Sequence, residues 1–263
     1  MSAAAHLLEL RGVRKQFGGV AALNGLDLYV DPGEIVSVIG PNGAGKSTMF
    51  NVITGLSDLD AGDVSFKGES IASLLPHQIV RIGIARTFQN VKLFPNMTIL
   101  ENAMVGQHTR SRTGLVGAIL RPPSVRREEE KIRTRARAAL GFFGTRLSGY
   151  REEQPAVVLS YANRRRLEMA RALATEPTLL CLDEPTAGMN PRETLEMRDN
   201  IVRMREELGL TVIVIEHDMR VVKGVSNRVI ALDYGRKIAE GTYEEVAHDD
   251  RVIEAYLGTK AVG

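Results

Sequence analysis

Apolar positions recur along this chain in two patterns that divide it into strands and helices. Ile35-Val36-Ser37-Val38-Ile39, Leu179-Leu180-Cys181-Leu182 and the run from Leu210 to Ile215 are short, continuous and rich in aliphatic residues. That is the pattern of strands covered on both faces, since a strand with one wet face alternates. Two partly alternating stretches, LLELRGVRKQF and VAALNGLDLYV, flank Gly18-Gly19 between Leu7 and Val30 and predict an antiparallel β-layer. VSFKG, after a turn over Asp60-Ala61-Gly62-Asp63, adds a strand, and RVIALDYG with KIAEG predicts a hairpin turning at Gly235.

Helical spacing appears elsewhere. TMFNVITGL from Thr48, a short segment from Leu74 to Arg81, and NMTILENAMVGQ each read as helix, the last with Thr98 and Glu101 spaced as a capping box. Ser124 to Phe143 predicts a charged helix. Ser160 is placed to cap NRRRLEMARALATE, in which Leu167, Ala170 and Leu173 repeat on one face. A short helix from about Asp249 to Leu257 closes the chain. Strand signals vanish between Pro95 and about Tyr150. The expected architecture is therefore one α/β domain over 1–263: a core formed by 1–90 and 164–263 with the N-terminal antiparallel β-layer, and an inserted α-helical subdomain over about 91–163.

Composition narrows the class. A chain of 263 residues buries one large α/β core, and a net charge of +2 gives no global argument for a nucleic-acid partner. No apolar run approaches the about 20 residues needed to cross a bilayer. The start, MSAAAHLLELRG, does not read as a secretory signal, and the single cysteine, Cys181, fits a reduced cytoplasmic compartment. Residues 107–151 carry eleven Lys/Arg against three Asp/Glu, a local +8. Such a stretch is either a solvated helix with Glu/Arg pairing across its turns or a basic surface near anionic lipid or a membrane partner.

The candidate chemistry begins where the first covered strand breaks. Gly40-Pro41-Asn42-Gly43-Ala44-Gly45-Lys46-Ser47 matches G-x-x-x-x-G-K-[ST] between a predicted strand and a helix beginning at Thr48, the context of a phosphate loop. Glycines let successive N–H groups surround a polyphosphate, and the helix start adds further donors. Lys46 would place a charge on the β- and γ-phosphates and the Ser47 hydroxyl would ligate Mg²⁺. A second apolar strand ends in Asp183-Glu184, adjacent carboxylates that are costly to bury without cations or water. Asp183 can hold Mg²⁺ through water, and Glu184 can orient the attacking water. A third ends in Glu216-His217-Asp218, where His217 is either a donor to a γ-phosphate or a capping or surface histidine. Phe17, before the double glycine, is either a purine-stacking ring or a core aromatic. Gln89 ends a short β-like run and means little alone.

In order, the phosphate loop, Gln89, LSYAN at Leu159–Asn163, LLCLDEP and His217 resemble the ATP-binding-cassette (ABC) ATPase family across essentially the whole chain. The resemblance implies a P-loop NTPase core with a mixed sheet, ATP and Mg²⁺ as ligands, and hydrolysis coupled to transport. It implies that Phe17 stacks on adenine, that Gln89 senses Mg²⁺ and the transport partner, and that His217 is the switch histidine. Two such cassettes pair head to tail, so that Ser160, Ala162 and Asn163 would meet ATP held by the other subunit. LSYAN departs from the usual LSGGQ, and Ala162 would place a Cβ where backbone approaches the γ-phosphate, weakening closure. AGMN, after Glu184, lacks the common aspartate.

IARTFQNVKLFPNMTILENAMVGQH, AGMNPRE, EHDMRVV, ALDYGRKIAEGT and the long insertion from Thr109 to Gln154 look like the subgroup that powers branched-chain amino-acid importers. That implies a peripheral subunit on the cytoplasmic face of the inner membrane, paired with a second ATPase (a heterodimer or a homodimer), bound to permease subunits and served indirectly by a solute-binding protein. Related systems carry amides, urea or aromatic acids. A soluble cassette ATPase acting on DNA or ribosomes would typically carry two cassettes or long inserted arms, which this chain lacks. A non-hydrolysing regulator finds support only in LSYAN.

Overall fold

The computed structural model describes residues 6–108 and 122–257. Ten strands form two sheets among them. The first is antiparallel, in the order β2 (Val20–Val30), β1 (Leu8–Phe17), β4 (Ala61–Phe66), β5 (Glu69–Ser70). The second has six strands, in the order β10 (Arg236–Gly241), β9 (Arg228–Asp233), β3 (Ile35–Ile39), β8 (Thr211–Ile215), β7 (Leu179–Asp183), β6 (Ile84–Arg86). All pairs in it are parallel except β9 with β10, so the sheet is mixed.

The continuous apolar strands are explained by what covers each face. Val36, Val38, Cys181, Ile213 and Ile215 point toward the β-layer and helix α1 (Lys46–Ile53), where Leu8, Leu26, Phe50 and Phe66 pack with them. Leu180, Leu182, Val212 and Val214, one residue out of phase, pack against helices on the opposite face. Those helices are α3 (Ile99–Val105), α4 (Pro123–Gly141), α5 (Tyr161–Leu173) and α6 (Pro191–Leu208), which followed a short α2 (Pro76–Ile82). Three further helices, α7 (Met219–Val225), α8 (Tyr243–Ala247) and α9 (Asp250–Leu257), lie beside β9 and β10. Among the described residues no helix is long and apolar enough to cross a membrane.

Several local expectations differ from the structure, each for a physical reason. Helix α1 starts at Lys46 rather than Thr48, because Gly45 takes the left-handed cap conformation and the helix begins beyond it. The turn expected over Asp60–Asp63 is already strand from Ala61, with the Asp60 carboxylate accepting from the Gln16 N–H at 2.6 Å and so fastening β4 to β1. The expected boundary at 163/164 falls inside α5, whose turns run unbroken from Tyr161. Most of the Gly- and Pro-containing connection TGLVGAILRPPS lies outside the described residues.

Helix α6, 18 residues long, and the short helices α7 and α8 were not anticipated. For α6 the local signals are nonetheless present: Asn190 caps it with Glu193 in a reciprocal box, Pro191 takes the first turn and Gly209 ends it. In α4 the arginines find acids: Arg137 meets Glu152 at 3.0 Å, Arg135 meets Glu176 at 3.0 Å and Arg133 meets Glu129 at 3.7 Å.

Two measurements test this packing. Ile201 on α6 is wholly buried and Leu195 on the same helix is exposed. Ile201→Ala should cost about 2–5 kcal/mol in urea unfolding, whereas Leu195→Ala should stay within about 0.5 kcal/mol. Equal losses would mean that α6 is not seated on the sheet as described. Burial pushes the Cys181 thiol up to about 12. It therefore stays protonated throughout the neutral range, and a thiol reagent at pH 8 should label it only as fast as the protein unfolds. Rapid stoichiometric labelling of native protein would contradict its position.

Candidate functional site

The phosphate-loop segment runs from the end of β3 to the start of α1, and two of its glycines are sterically required. A Cβ at Gly40 would lie 2.1 Å from the Leu232 carbonyl oxygen, and one at Gly45 would lie 2.4 Å from that of Ala22. The loop is thus clamped between β9 and β2. Pro41, Asn42, Gly43 and Ala44 line a cleft of 500 Å³ with Tyr234 and Glu254 on its other side. Asn42 and Gly43 are exposed and Ala44 is buried. The Ser47 hydroxyl stands exposed in the first turn of α1, followed by the partly buried Thr48.

Lys46 folds back along the loop. Its Nζ donates to the carbonyls of Gly40 at 2.6 Å and Pro41 at 2.9 Å. Burial pulls its pKa below the usual lysine range, and the charges of Glu184 and Asp183 oppose that shift. The same loop accepts a remote contact: the Gly40 N–H donates to the Tyr256 hydroxyl on α9 at 2.8 Å.

Asp183 ends β7 in a buried position. Its Oδ2 accepts from Arg86 at 2.9 Å, and that guanidinium lies over the rings of Phe50 and Phe88 at 5.2 and 5.3 Å. Arg86 also donates to Asn51 on α1 at 2.7 Å, joining the carboxylate strand to the phosphate-loop helix.

Glu184 follows in the left-handed region, with φ +46. A side chain there costs about 1–3 kcal/mol and persists only where its surroundings impose it. The carboxylate is held on both oxygens: Gln89 Nε2 donates to Oε2 at 3.1 Å, and His217 Nε2 lies 3.0 Å from Oε1. An ionised carboxylate only accepts, so Nε2 carries the imidazole proton in this arrangement. Glu216, buried beside it, accepts the N–H groups of His217 and Thr186 at 2.9 and 3.0 Å and holds the two chain segments in place. Gln89, Glu184 and His217, distant in sequence, therefore form one hydrogen-bonded group.

The remaining sequence-derived residues lie apart. Phe17 ends β1 and is 52% exposed, so the core-aromatic reading is set aside. Ser160 is the exposed N-cap of α5, accepting the Asn163 N–H at 3.4 Å. Asn163 Oδ1 accepts from Arg166 at 2.9 Å, which in turn donates to Glu196 at 2.8 Å. Ala162 is only 2% exposed, so its methyl packs into the chain itself, not toward a second subunit, which corrects the steric expectation drawn from LSYAN. No hydrogen bond among the described residues links Ser160, Ala162 or Asn163 to Lys46, Asp183 or Glu184. The roles of three participants escaped sequence reasoning: Arg86, Glu216 and Tyr256. Each makes a contact with a segment distant in sequence, respectively Asp183, Thr186 and Gly40, that no local pattern announces.

The family model described as "ABC transporter" matches residues 23–187, and one described as "Branched-chain amino acid ATP-binding cassette transporter" matches residues 236–262. The chain is 42% identical over 252 residues to the high-affinity branched-chain amino acid transport ATP-binding protein LivG of Escherichia coli (strain K12), covering 96% of this chain and 98% of that one. It also resembles the ADP conformation of MJ1267, an ATP-binding cassette of an ABC transporter, with a TM-score of 0.82 at 30% identity over 97% and 100% of the two chains. A dimeric post-hydrolysis state of the cassette MJ0796 bound to ADP and Pi aligns with a TM-score of 0.74 at 28% identity, covering 90% and 98%. With a nucleotide cassette's fold, phosphate loop and carboxylate strand in one chain, this protein belongs to the ABC transporter family as its ATP-hydrolysing, nucleotide-binding subunit.

Proposed function

We propose that the chain is the motor subunit of a branched-chain amino-acid importer, and that ATP is hydrolysed on Glu184. The observation that carries this is the Glu184 carboxylate, oriented by Gln89 on one oxygen and His217 on the other. Lys46, the first residue of α1, bears on the β- and γ-phosphates. Glu184 orients and polarises water for in-line attack at the γ-phosphorus; the bond to the β-bridging oxygen breaks, and ADP and phosphate leave. His217 donates toward the γ-phosphate as that charge spreads.

Mg²⁺ fits the residues present. The exposed Ser47 hydroxyl offers a hard oxygen ligand, as that ion prefers, and Asp183, already paired with Arg86, would hold the ion through water, with Gln89 on the neighbouring Glu184. Bound there, the ion would neutralise phosphate charge. Phe17 offers an exposed ring to adenine at the edge of the β-layer, whose strand β2 touches the loop at Ala22 and Gly45.

The working unit is two cassettes head to tail, with Ser160 and Asn163 of one engaging ATP on the other, at the cytoplasmic face of the membrane and against permease subunits. A second, different ATPase subunit is the expected companion, and a solute-binding protein supplies the cargo. The cargo assignment rests on the LivG relative and on the match at the C-terminal end.

Glu184→Gln should keep ATP binding and lose at least about 100-fold in turnover; wild-type hydrolysis would remove Glu184 from this role. The same variant, held in its ATP state and purified from host membranes, should bring two multi-span permeases and a second cassette, identified by mass spectrometry. Recovery with ribosomes or nucleic acid and no permease would overturn the transport reading while leaving the ATPase intact. Phe17→Ala should weaken nucleotide binding by about 1–3 kcal/mol in a fluorescent-nucleotide titration, the worth of one stacked base. Unchanged affinity would remove the ring from the site.

A further inference from the structure

Arg165 is wholly buried and is the largest side chain so enclosed among the described residues. It lies on α5, little more than one turn past Ser160. Its Nη2 donates to the carbonyl oxygens of Asp183 at 3.1 Å and Glu184 at 2.8 Å. Its Nη1 donates to Glu168 Oε2 at 2.9 Å and to the carbonyl of Phe88, the residue before Gln89. Glu168, equally buried, accepts the Phe88 N–H at 3.3 Å. One guanidinium thus grips the backbone of both carboxylate residues and of the glutamine segment.

Stability alone does not explain this arrangement. Burying an ion pair costs about as much as its attraction returns, and apolar replacements of similar volume are commonly neutral or stabilising. Its Nε has no partner, an added cost in a buried cation. What the arginine does supply is restraint. Glu184 sits at φ +46, held by its N–H on the Ile215 carbonyl at 2.9 Å on one side and by Arg165 on its own carbonyl on the other.

We propose that Arg165 is a positioning residue that ties the helix begun by Ser160 to Glu184 and Gln89 of the same chain, and so makes the two ATP sites of a cassette pair interdependent. This rests on the head-to-tail reading above. When Ser160 engages ATP on the second cassette, α5 is seated from its N-terminus. The guanidinium transmits that seating to the three carbonyls, and Glu184 reaches its working position for the chain's own ATP. Hydrolysis at one site then requires engagement at the other.

Three variants in the full membrane complex separate positioning from mere structural support. Arg165→Met leaves the buried Glu168 charge only the longer contact with Arg171 at 4.0 Å and should lower the Tm. Arg165→Met with Glu168→Gln removes both charges, keeps an acceptor for the Phe88 N–H, and should recover the wild-type Tm. That double variant should still hydrolyse ATP at least about tenfold more slowly than wild type, since small misplacements at the reacting centre carry such costs. Its ATP Kd should stay within about twofold, and its Hill coefficient for ATP should fall toward 1. Arg165→Lys, which keeps the charge but spans fewer carbonyls, should show the same split between kcat and Kd at near-native Tm, and decides the matter if the double variant does not fold. A folded double variant, or Arg165→Lys, with wild-type kcat and Hill coefficient would overturn the proposal. Failure of the wild-type complex to hydrolyse ATP would instead overturn the functional reading beneath it.

Discussion

Everything at this site depends on parallel strands ending at a common edge. In the order β9-β3-β8-β7-β6, the hydrogen-bonded register brings Val38 beside Ile215 and Ile215 beside Asp183. Strand β3 therefore delivers the phosphate loop, β7 the two carboxylates, β8 Glu216 and His217, and β6 Arg86 and the glutamine segment, all to one crevice. No single segment carries the chemistry. A slip of one residue in any of these pairings would send each inward side chain to the opposite face and separate Glu184 from His217.

That edge gathers charge in a poorly solvated place, and the structure compensates with specific partners. Asp183 meets Arg86, whose charge is spread over two aromatic faces; Glu184 meets Gln89 and His217; Glu168 meets Arg165. Leaving Asp183 or Glu168, both buried, without a partner would cost several kcal/mol. Lys46 shows the complementary case. It is pulled toward its neutral form by burial and held charged by the carboxylates opposite, while its hydrogen bonds are spent on its own loop. A triphosphate offers it stronger acceptors at the same location.

How much of this could be read in the sequence follows from the range of each interaction. The phosphate loop, the capping box at Thr98 and the doubly covered strands are local patterns, so the covered strands, the β-layer and the placement of Lys46 after the loop and of Glu184 after a strand are legible in them, while the mixed sheet follows from the family resemblance. Helix α6 was equally local, with Asn190, Pro191 and Gly209 in place, but its polar surface and acid-base mixture masked an apolar face of only Met197, Ile201 and Met204. Arg165 was inaccessible for a deeper reason. Within NRRRLEMARAL, three consecutive arginines spread over about half the helix circumference, and nothing local tells which of them the sheet edge will enclose. Tyr256 meets Gly40 across 216 positions, and a single aromatic carries no signal over that distance.

The departures in LSYAN and AGMN belong to one packing arrangement. Tyr161 replaces a small residue at the start of α5, and a Cβ on Gly188 would come within 3.2 Å of its ring, so the loop after Glu184 is glycine where the tyrosine needs space. Asn190 stands where an aspartate is usual and does what an aspartate would do for α6, accepting the Glu193 N–H at 3.0 Å. Ala162 turns its methyl inward, and Asn163 is tied by Arg166 to Glu196 of that same helix. The changes at Tyr161, Asn163 and Asn190 are therefore answered within the chain by residues of the loop or helix that follows Glu184. The start of α5 and the start of α6 are held as a unit next to Glu184 by packed side chains and backbone, so a displacement of one helix start is carried to the other and to the loop between β7 and α6.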